Sequence, residues 1–374
     1  PHPRTQTGGW TTVTVMPGVG AGPELADLMI EVMECAGAPL YYEIVRPEKS
    51  EKEFEHMLQS LKRNGVAIKG NIESKSLTEL FMEPSKNMRI KRTMDLFIDV
   101  IECKSFPGLE KLMRVHKHLD IVVMRQNIEG EYTLMEHEVI RNMFENVQIT
   151  TYYNTKRVCE YAFNYARDKQ RSKVTLLHNQ DVNPLTEDLM KKAFDDVAYK
   201  YPLIKSEKFS VNHGLKMLVK DAKSWDIVVT NSVLGSIIAS IIFGMIGGPA
   251  LAAEANIGEK YKVFESAFRN RNISLAGKDV VNPTGTILSG VLALEVLGYN
   301  KQASIIRLAL EEIFMEGKAL TRDLGGKATS KEFVRILVQK IRNLACYVHC
   351  KYDAVPQIPP RPPKPPPYDP NLYM

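Results

Sequence analysis

Residues 225–246 read WDIVVTNSVLGSIIASIIFGMI, and this stretch decides which kind of fold to expect. Its first six residues form a mostly apolar run, which is typical of a buried strand. From Asn231 a second apolar run begins that has the length of a helix. A strand that turns directly into a helix is the repeating unit of an α/β fold. Such turns often carry metal or phosphate sites, but this one offers only the hydroxyls of Ser232, Ser236 and Ser240.

The same alternation recurs along the chain. Apolar segments follow one another with helical patterns between them, and they read TTVTVMPG (11–18), YYEIV (41–45), GVAIKGNI (65–72), DIVVMRQ (120–126) and KVTLLHN (173–179). In the first helical segment Leu25, Leu28, Met29 and Val32 share one face, with the spacing of an amphipathic helix. The pattern therefore predicts an α/β fold with a largely parallel sheet.

Bulk composition excludes several classes of protein. The chain has 374 residues, 44% of them apolar and 25% charged, which suits one large α/β unit or two domains. The net charge of +5 is spread along the chain, so a nucleic-acid partner is not expected. No apolar run reaches the roughly 18 residues of a membrane span.

The five cysteines are scattered, which favours a reducing compartment with free thiols. Cys346, His349 and Cys350 lie close together in sequence. They have no distant fourth ligand, so they make a poor zinc site and no metal is predicted there.

The end of the chain differs from the rest, because nine of the fifteen residues from Pro356 to Pro370 are proline. Proline has no N–H and a fixed φ, so this segment cannot join a helix or a sheet. We expect residues 355–374 to form an extended tail, either solvated or docked as a strap.

Several longer motifs occur together. They include VTVMPGVGAGPEL (13–25), VVMRQNIEGEYTLMEHE (122–138), GGPALAAEANIG (247–258) and KDVVNPTGTILSG (278–290). In this order, over residues 12 to 345, they resemble the β-decarboxylating dehydrogenases of the isocitrate/isopropylmalate dehydrogenase family. Within that family, VIECKSFPG (100–108) and GGPALAAEANIG look most like the γ regulatory subunits of mitochondrial NAD-dependent isocitrate dehydrogenase.

The resemblance implies an α/β, two-domain fold with a clasp. A large discontinuous domain would take residues 1–103 and 270–354, and a small domain with the clasp would take residues 104–269. The helices that begin near Gly235 and after Pro184 would pair with a catalytic isocitrate dehydrogenase subunit in a hetero-oligomer.

The resemblance also implies that the chemistry has been lost. The family uses NAD and Mg²⁺ or Mn²⁺, and the metal-binding aspartates of its active members match Ser236 and Ser240 here. Asn179 stands where the family has its lysine base, whereas the acidic tyrosine is retained as Tyr132. Serine is a poor ligand for these ions and an amide cannot take a proton, so we expect no productively bound cofactor or metal.

Four residues are candidates for binding an effector such as citrate or ADP: Lys91, Arg125, Arg269 and Asn282. Arg125 matches a family arginine that binds a substrate carboxylate. Alternatively, Glu129 or Glu131 closes onto Arg125 and leaves the pocket empty. The adenosine loop is altered, with Phe268 at a histidine position and Val19 at an aspartate position, and Ile101 stands at a third arginine position.

These expectations combine into one functional hypothesis. The chain is predicted to be a catalytically inert regulatory subunit of an NAD-dependent isocitrate dehydrogenase, in the tricarboxylic acid cycle of the mitochondrial matrix. A structural or assembly role that uses the proline-rich tail is the first alternative. An active dehydrogenase with unusual ligands is the second.

Overall fold

A computed structural model describes residues 5–47, 50–72, 85–113, 117–268 and 270–351, without the side chains of residues 7 and 346–351. The proline-rich tail and Arg269 lie outside the described residues, as do the side chains of Cys346, His349 and Cys350. The strands are β1 (Gln6–Thr7), β2 (Trp10–Met16), β3 (Leu40–Ile44), β4 (Val66–Lys69), β5 (Ile98–Lys104), β6 (Asp120–Gln126), β7 (Gly130–Ile140), β8 (Met143–Ile149), β9 (Lys173–His178), β10 (Lys205–Ser210), β11 (Ile227–Thr230), β12 (Ala253–Ile257) and β13 (Lys262–Ser266).

Helices separate most of these strands. They are α1 (Gly22–Cys35), α2 (Glu51–Asn64), α3 (Lys86–Thr93), α4 (Tyr152–Asp168), α5 (Pro184–Ala198), α6 (Val211–Lys220), α7 (Ser232–Ile246), α8 (Thr284–Leu297), α9 (Asn300–Glu316) and α10 (Ser330–Lys351). The predicted α/β class is therefore confirmed. None of the helices in the described ranges combines the length and the apolar character that a membrane span requires.

Eleven strands form one sheet in the order β1-β2-β4-β13-β12-β5-β6-β11-β9-β10, with β3 paired to β2. Both flanks are parallel, as expected, apart from the edge strand β1, which pairs antiparallel with β2. In the centre β13, β12, β5 and β6 pair antiparallel. Only residues 258–261 separate β12 from β13, and so short a connection permits only a hairpin. The largely parallel sheet that was predicted is thus a mixed sheet. The sheet contains strands from both predicted domains, and the division into domains stays a prediction.

Successive side chains of the central strands point to opposite faces of the sheet, so each face has its own hydrophobic core. Val100 of β5 packs in a core with α1, α4, α8, α9 and α10, whereas Ile101 packs in a second core with α6 and α7. A third core holds α2 and α3 against β4. Any two cavities on opposite faces of β5 and β12 are therefore separated by the thickness of one sheet.

Helix α7 begins as the opening stretch of sequence predicts. The Asn231 side chain caps it by accepting from the Leu234 backbone N–H at 3.3 Å. A Cβ at Gly235 would lie 2.5 Å from the Arg125 Cβ, so this glycine lets α7 approach β6 closely. On its outer side α7 exposes Ile237, whose accessible fraction is 49%.

Strands β7 and β8 form a separate two-stranded ribbon that stands away from the main sheet. It corresponds to the part of the chain where the clasp was expected. The ribbon carries large exposed apolar side chains, namely Leu134, Met135, Val139, Ile140, Met143, Phe144, Val147 and Ile149. Exposed apolar side chains in this number make the ribbon a candidate contact surface for another protein.

Candidate functional site

A polar hollow, here called the cleft cavity, has a volume of about 350 Å³ and lies where the ends of β2, β4 and β13 meet the start of α1. It brings together five residues that the sequence singled out: Val19, Lys91, Tyr132, Phe268 and Asn282. Its remaining polar lining includes Lys69, Asn71, Asn87, Glu265, Asn270, Arg271 and Asn272.

The turn before α1 is rich in glycine because the backbone is crowded there. Gly20 has a φ of +63°, and a Cβ at this position would lie 1.9 Å from the Arg271 carbonyl oxygen. A Cβ at Gly70 would lie 2.1 Å from the Pro17 carbonyl oxygen. Only glycine fits these positions without moving the backbone, so the turn closes one side of the cleft cavity tightly.

A chain of polar side chains lies beneath the cavity. Lys69, which is 6% exposed, forms an ion pair with Glu265 and donates to Asn87 at 3.0 Å. Asn256 donates to the second Glu265 oxygen at 2.9 Å, and Asn127 donates to Asn256 at 2.8 Å. These bonds fix the Lys69 ammonium at the cavity wall.

Lys91 completes the chain at its other end. Its Nζ donates to Asn127 Oδ1 at 2.8 Å and lies 5.7 Å from the centre of the Tyr132 ring. Both lysines are nearly buried, and both line the cleft cavity. The cavity thus presents two positioned ammonium groups, which is the chemistry that binds an anionic ligand.

Arg125 does not line the cleft cavity. It is completely buried on β6, where it pairs with the equally buried Asp99 of β5. Its Nη1 also donates to the Tyr132 hydroxyl at 2.6 Å. The carboxylate that meets Arg125 is therefore Asp99, rather than Glu129 or Glu131. Those glutamates accept hydrogen bonds from other groups, Glu129 from Thr151 and Asn154, and Glu131 from Ser232.

Ser236 and Ser240, the two serines that the resemblance matches to metal ligands, lie on the outer side of α7. Ser236 Oγ is 3.3 Å from the Tyr132 hydroxyl, and the Ser240 hydroxyl donates back to the Ser236 carbonyl at 2.8 Å. They border a hollow of about 420 Å³, here called the serine cavity, whose other walls include Ile101, Phe243 and Glu254. The Ser240 hydroxyl is thus used within its own helix.

These residues do not fit a divalent metal. Mg²⁺ and Mn²⁺ need several anionic oxygen ligands, and Glu254 is the single carboxylate among the described residues around the serine cavity. Within the described ranges, no group of three or more histidine, cysteine, aspartate or glutamate side chains could hold a metal ion. No chemical step through a metal is derived for this site.

Asn179 lies in the turn between β9 and α5. Its carbonyl accepts from the backbone N–H groups of Val182 and Asn183 at 3.1 and 3.2 Å. The neighbouring Glu187 accepts from Asn231, the cap of α7, at 3.0 Å. Burial raises the pKa of Glu187, although hydrogen bonds from the Asn179 backbone and from Asn231 oppose the rise. This turn and the start of α7 are therefore joined through a buried carboxyl group.

Asn282 lies at the far side of the cleft cavity and is held by two bonds. Its amide donates to Asp323 at 2.8 Å, and its carbonyl accepts from the Thr284 backbone N–H at 3.0 Å. It is thus a rigid part of the wall at the start of α8.

Three charged residues of the site were missed by the sequence reading: Lys69, Asp99 and Glu265. Two of them left a visible signal, because Lys69 ends the apolar run VAIK and Asp99 interrupts the run LFIDVI. A charge inside a buried strand must meet a partner. The identity of the partner depends on strand order, which the sequence does not state.

A mixed sheet, a crowded glycine turn and a polar cleft at the strand ends define an α/β protein with a candidate ligand-binding cleft. The family model described as isocitrate/isopropylmalate dehydrogenase matches residues 12–337. The chain belongs to the isocitrate/isopropylmalate dehydrogenase family, as the motifs predicted.

Individual relatives agree with this assignment. The chain is 35% identical to the human mitochondrial isocitrate dehydrogenase [NAD] subunit gamma over 345 residues, covering 91% of this chain and 86% of the relative. It is 33% identical to a mitochondrial isocitrate dehydrogenase [NAD] regulatory subunit of Dictyostelium discoideum, covering 88% and 90%. The crystal structure of isocitrate dehydrogenase from Methylococcus capsulatus superposes with a TM-score of 0.81 at 27% identity, covering 88% and 99%.

Proposed function

We propose that this chain is a non-catalytic, regulatory subunit of a mitochondrial NAD-dependent isocitrate dehydrogenase in the tricarboxylic acid cycle. The observation that carries the proposal is the pair Ser236 and Ser240 on α7. Oxidative decarboxylation needs a divalent ion to hold charge on the forming enolate, and two hydroxyls cannot replace carboxylate ligands. Asn179 at the position of the base supports the same conclusion.

The regulatory part of the proposal rests on the cleft cavity. Lys69 and Lys91 place two ammonium groups at its wall, and Arg271 lines it as well. An anionic effector such as ADP would meet these groups without any need for a catalytic metal. Arg269 and Asn282 remain candidates for binding this effector.

The assembly part of the proposal rests on the apolar outer sides of α7 and of the β7–β8 ribbon. We propose that they contact a catalytic subunit. Substituting Ile237→Asp, at a position 49% exposed on α7, should abolish co-purification with that subunit. The matched control is Leu308→Asp on α9, 51% exposed, which should leave the complex intact.

The direct test is an assay of the isolated chain with isocitrate, NAD and Mn²⁺. We expect no isocitrate-dependent NAD reduction above the blank, and metal-dependent turnover by the pure chain would overturn the proposal. In the complex, ADP should change the activity of the catalytic subunit, and Lys91→Gln in this chain should remove that response.

A structural or assembly role is the second candidate, and one observation favours it. Arg125, the predicted ligand of a carboxylate effector, is already paired with the buried Asp99. If neither citrate nor ADP alters the complex, and the complex still forms, the structural role replaces the regulatory one.

A further inference from the structure

The charges that line the cleft cavity are not equally available to a ligand. Among the described lining residues Lys69, Lys91 and Arg271 are cationic, and Glu265 is the one carboxylate. Glu265 on β13 is the register partner of Lys69 on β4, and the two side chains form an ion pair. One of the three positive charges is therefore already balanced within the protein.

The ammonium group of Lys69 uses all of its donors inside the protein. It donates to Glu265, to Asn87 Oδ1 at 3.0 Å and to the Gly70 carbonyl oxygen at 3.4 Å. A lysine ammonium has three N–H donors, so these bonds satisfy it completely. An anionic ligand could bond to Lys69 only by displacing one of these partners.

Glu265 is fixed as firmly as the lysine that it meets. Its Oε1 accepts from Asn256 at 2.9 Å, while its Oε2 pairs with Lys69. The Glu265 side chain is 17% exposed and lines the cavity. A negative charge is thus held beside the space that an anionic ligand would enter, and it opposes any excess of negative charge there.

The other two cations are placed differently. Lys91 donates to the amide oxygen of Asn127 at 2.8 Å, a bond that orients the ammonium group without cancelling its charge. Arg271 lies across the glycine turn, where its carbonyl oxygen accepts from the Ala21 backbone N–H at 3.3 Å. One ammonium and one guanidinium group therefore suit a ligand with two neighbouring anionic groups, as in a diphosphate.

We propose that Glu265 is a specificity-determining residue of the effector site, because it occupies Lys69 and leaves anion recognition to Lys91 and Arg271. A diphosphate matches these two cations. A third phosphoryl group would meet the Glu265 carboxylate instead of a further cation of the described lining. This inference rests on the function proposed above, since it requires that the cleft cavity take an anionic effector.

Calorimetric titrations of the full chain with pyrophosphate and with tripolyphosphate, at neutral pH and without divalent metal, test the role of Glu265. The native chain should bind pyrophosphate at least as tightly as tripolyphosphate. Glu265→Gln keeps the size of the side chain and removes its charge, so Lys69 becomes available to the third phosphoryl group. The Kd for tripolyphosphate should fall about tenfold, whereas that for pyrophosphate should change less than about threefold.

The matched control is Glu316→Gln, which removes the same charge from a lysine–glutamate pair, that of Lys340, outside the cleft cavity. It should leave both Kd values unchanged. If the control shifts the preference as Glu265→Gln does, net charge rather than the site accounts for the effect, and the proposal is wrong.

A double variant, Lys69→Met with Glu265→Gln, removes both charges and so leaves no unpaired charge, which keeps the test available if Glu265→Gln alone does not fold. Because Lys69 makes no bond to the ligand, this variant should bind pyrophosphate within about threefold of the native chain. A loss of about tenfold or more would show that Lys69 binds the ligand directly and would overturn the inference.

The outcomes also separate this inference from the proposed function. Binding of both phosphates with a preference that Glu265→Gln leaves unchanged refutes the role of Glu265 alone. If the native chain and its variants bind neither phosphate, the anionic effector site itself is refuted, and the inference with it.

Discussion

The charged groups at the cleft cavity and beside the serine cavity differ in how far they are enclosed by the protein. In the cleft cavity, ammonium groups are held at a wall that a ligand can reach, by Lys69 with Glu265 and by Lys91 with Asn127. Beside the serine cavity, the guanidinium of Arg125 is completely buried and paired with Asp99, and the neighbouring helix offers hydroxyls. In the first region the cations line a cavity that a ligand can reach, and in the second the cation and its carboxylate are both completely buried.

The difference is what we would expect if this chain, as proposed, is not catalytic. A fully buried arginine without a partner would carry a large desolvation cost, so a carboxylate from the adjacent strand stabilises it. At the cleft cavity Lys69 also has a carboxylate partner, but Glu265 is 17% exposed and lines the cavity, and Lys91 donates to the neutral side chain of Asn127. This contrast supports the proposal that the cleft cavity binds an anionic effector and that the chain carries out no metal-dependent chemistry.

The largest effect should come from breaking the fully buried pair. Arg125→Met leaves the completely buried side chain of Asp99 without its ion-pair partner. We expect the free energy of unfolding to fall by about 3–5 kcal/mol, which is typical when one partner of a buried ion pair is removed. Urea denaturation followed by circular dichroism measures this.

The control is the double variant Arg125→Met with Asp99→Leu, which removes both charges. It should recover a large part of the loss, because two apolar side chains of similar size are tolerated in place of a buried pair. If the double variant is less stable than the single variant, the Asp99 charge is not the source of the destabilisation.

A smaller loss is expected at the cleft cavity. Lys69→Met breaks the ion pair with Glu265, whose side chain is 17% exposed and can be rehydrated through the cavity. We expect a decrease of about 1–3 kcal/mol, between the values for exposed and for buried pairs. The same denaturation experiment measures it. If Lys69→Met lowers the free energy of unfolding as much as Arg125→Met does, the two ion pairs do not differ in how strongly burial affects them.

The sequence predicted the fold better than the arrangement of its charges. Apolar runs and glycine turns identified the strands around α1 and α7, since those signals are local. The pairing of Arg125 with Asp99 depends on β5 lying next to β6 antiparallel, and that of Lys69 with Glu265 depends on β13 lying next to β4. Strand order of this kind arises from long-range packing, so no local pattern could show which carboxylate meets which cation.

A third and smaller effect concerns Glu187, which joins the Asn179 turn to the start of α7. Its pKa is raised by burial from the ordinary value of 4.5, so its charged form costs stability at neutral pH. Glu187→Gln keeps the acceptor for Asn231 and removes the charge. We expect a gain of about 1 kcal/mol at pH 7.

The sign of the pH dependence provides the check. A group whose pKa is raised on folding favours the folded state at low pH and loses that contribution as the pH rises through its folded pKa. The gain from Glu187→Gln should therefore shrink toward zero below about pH 4, as measured by thermal unfolding across pH. Glu31→Gln, an exposed position on α1, should show no such trend. A gain that grows as the pH falls would contradict the burial argument.

The smallest effect on activity is expected from placing carboxylates on α7. Ser236→Asp with Ser240→Asp supplies the missing metal ligands and should raise the affinity for Mn²⁺, measured by calorimetry. Turnover of isocitrate should nevertheless stay at the blank, because Asn179 provides no base and Arg125 remains paired with Asp99. Groups that act together in catalysis do not contribute independently, so restoring one of them alone recovers little.

A charge-matched control, Val233→Asp with Leu203→Asp, places two carboxylates on exposed positions that do not line the serine cavity. It should leave Mn²⁺ affinity unchanged, which separates a rebuilt site from a general attraction of cations. If the Ser236 and Ser240 variant instead turned over isocitrate within tenfold of an active relative, Asn179 and the Arg125–Asp99 pair would not be what keeps this chain inert. The two hydroxyls alone would then account for the loss of chemistry, and the internal pairing of Arg125 would be a feature of packing.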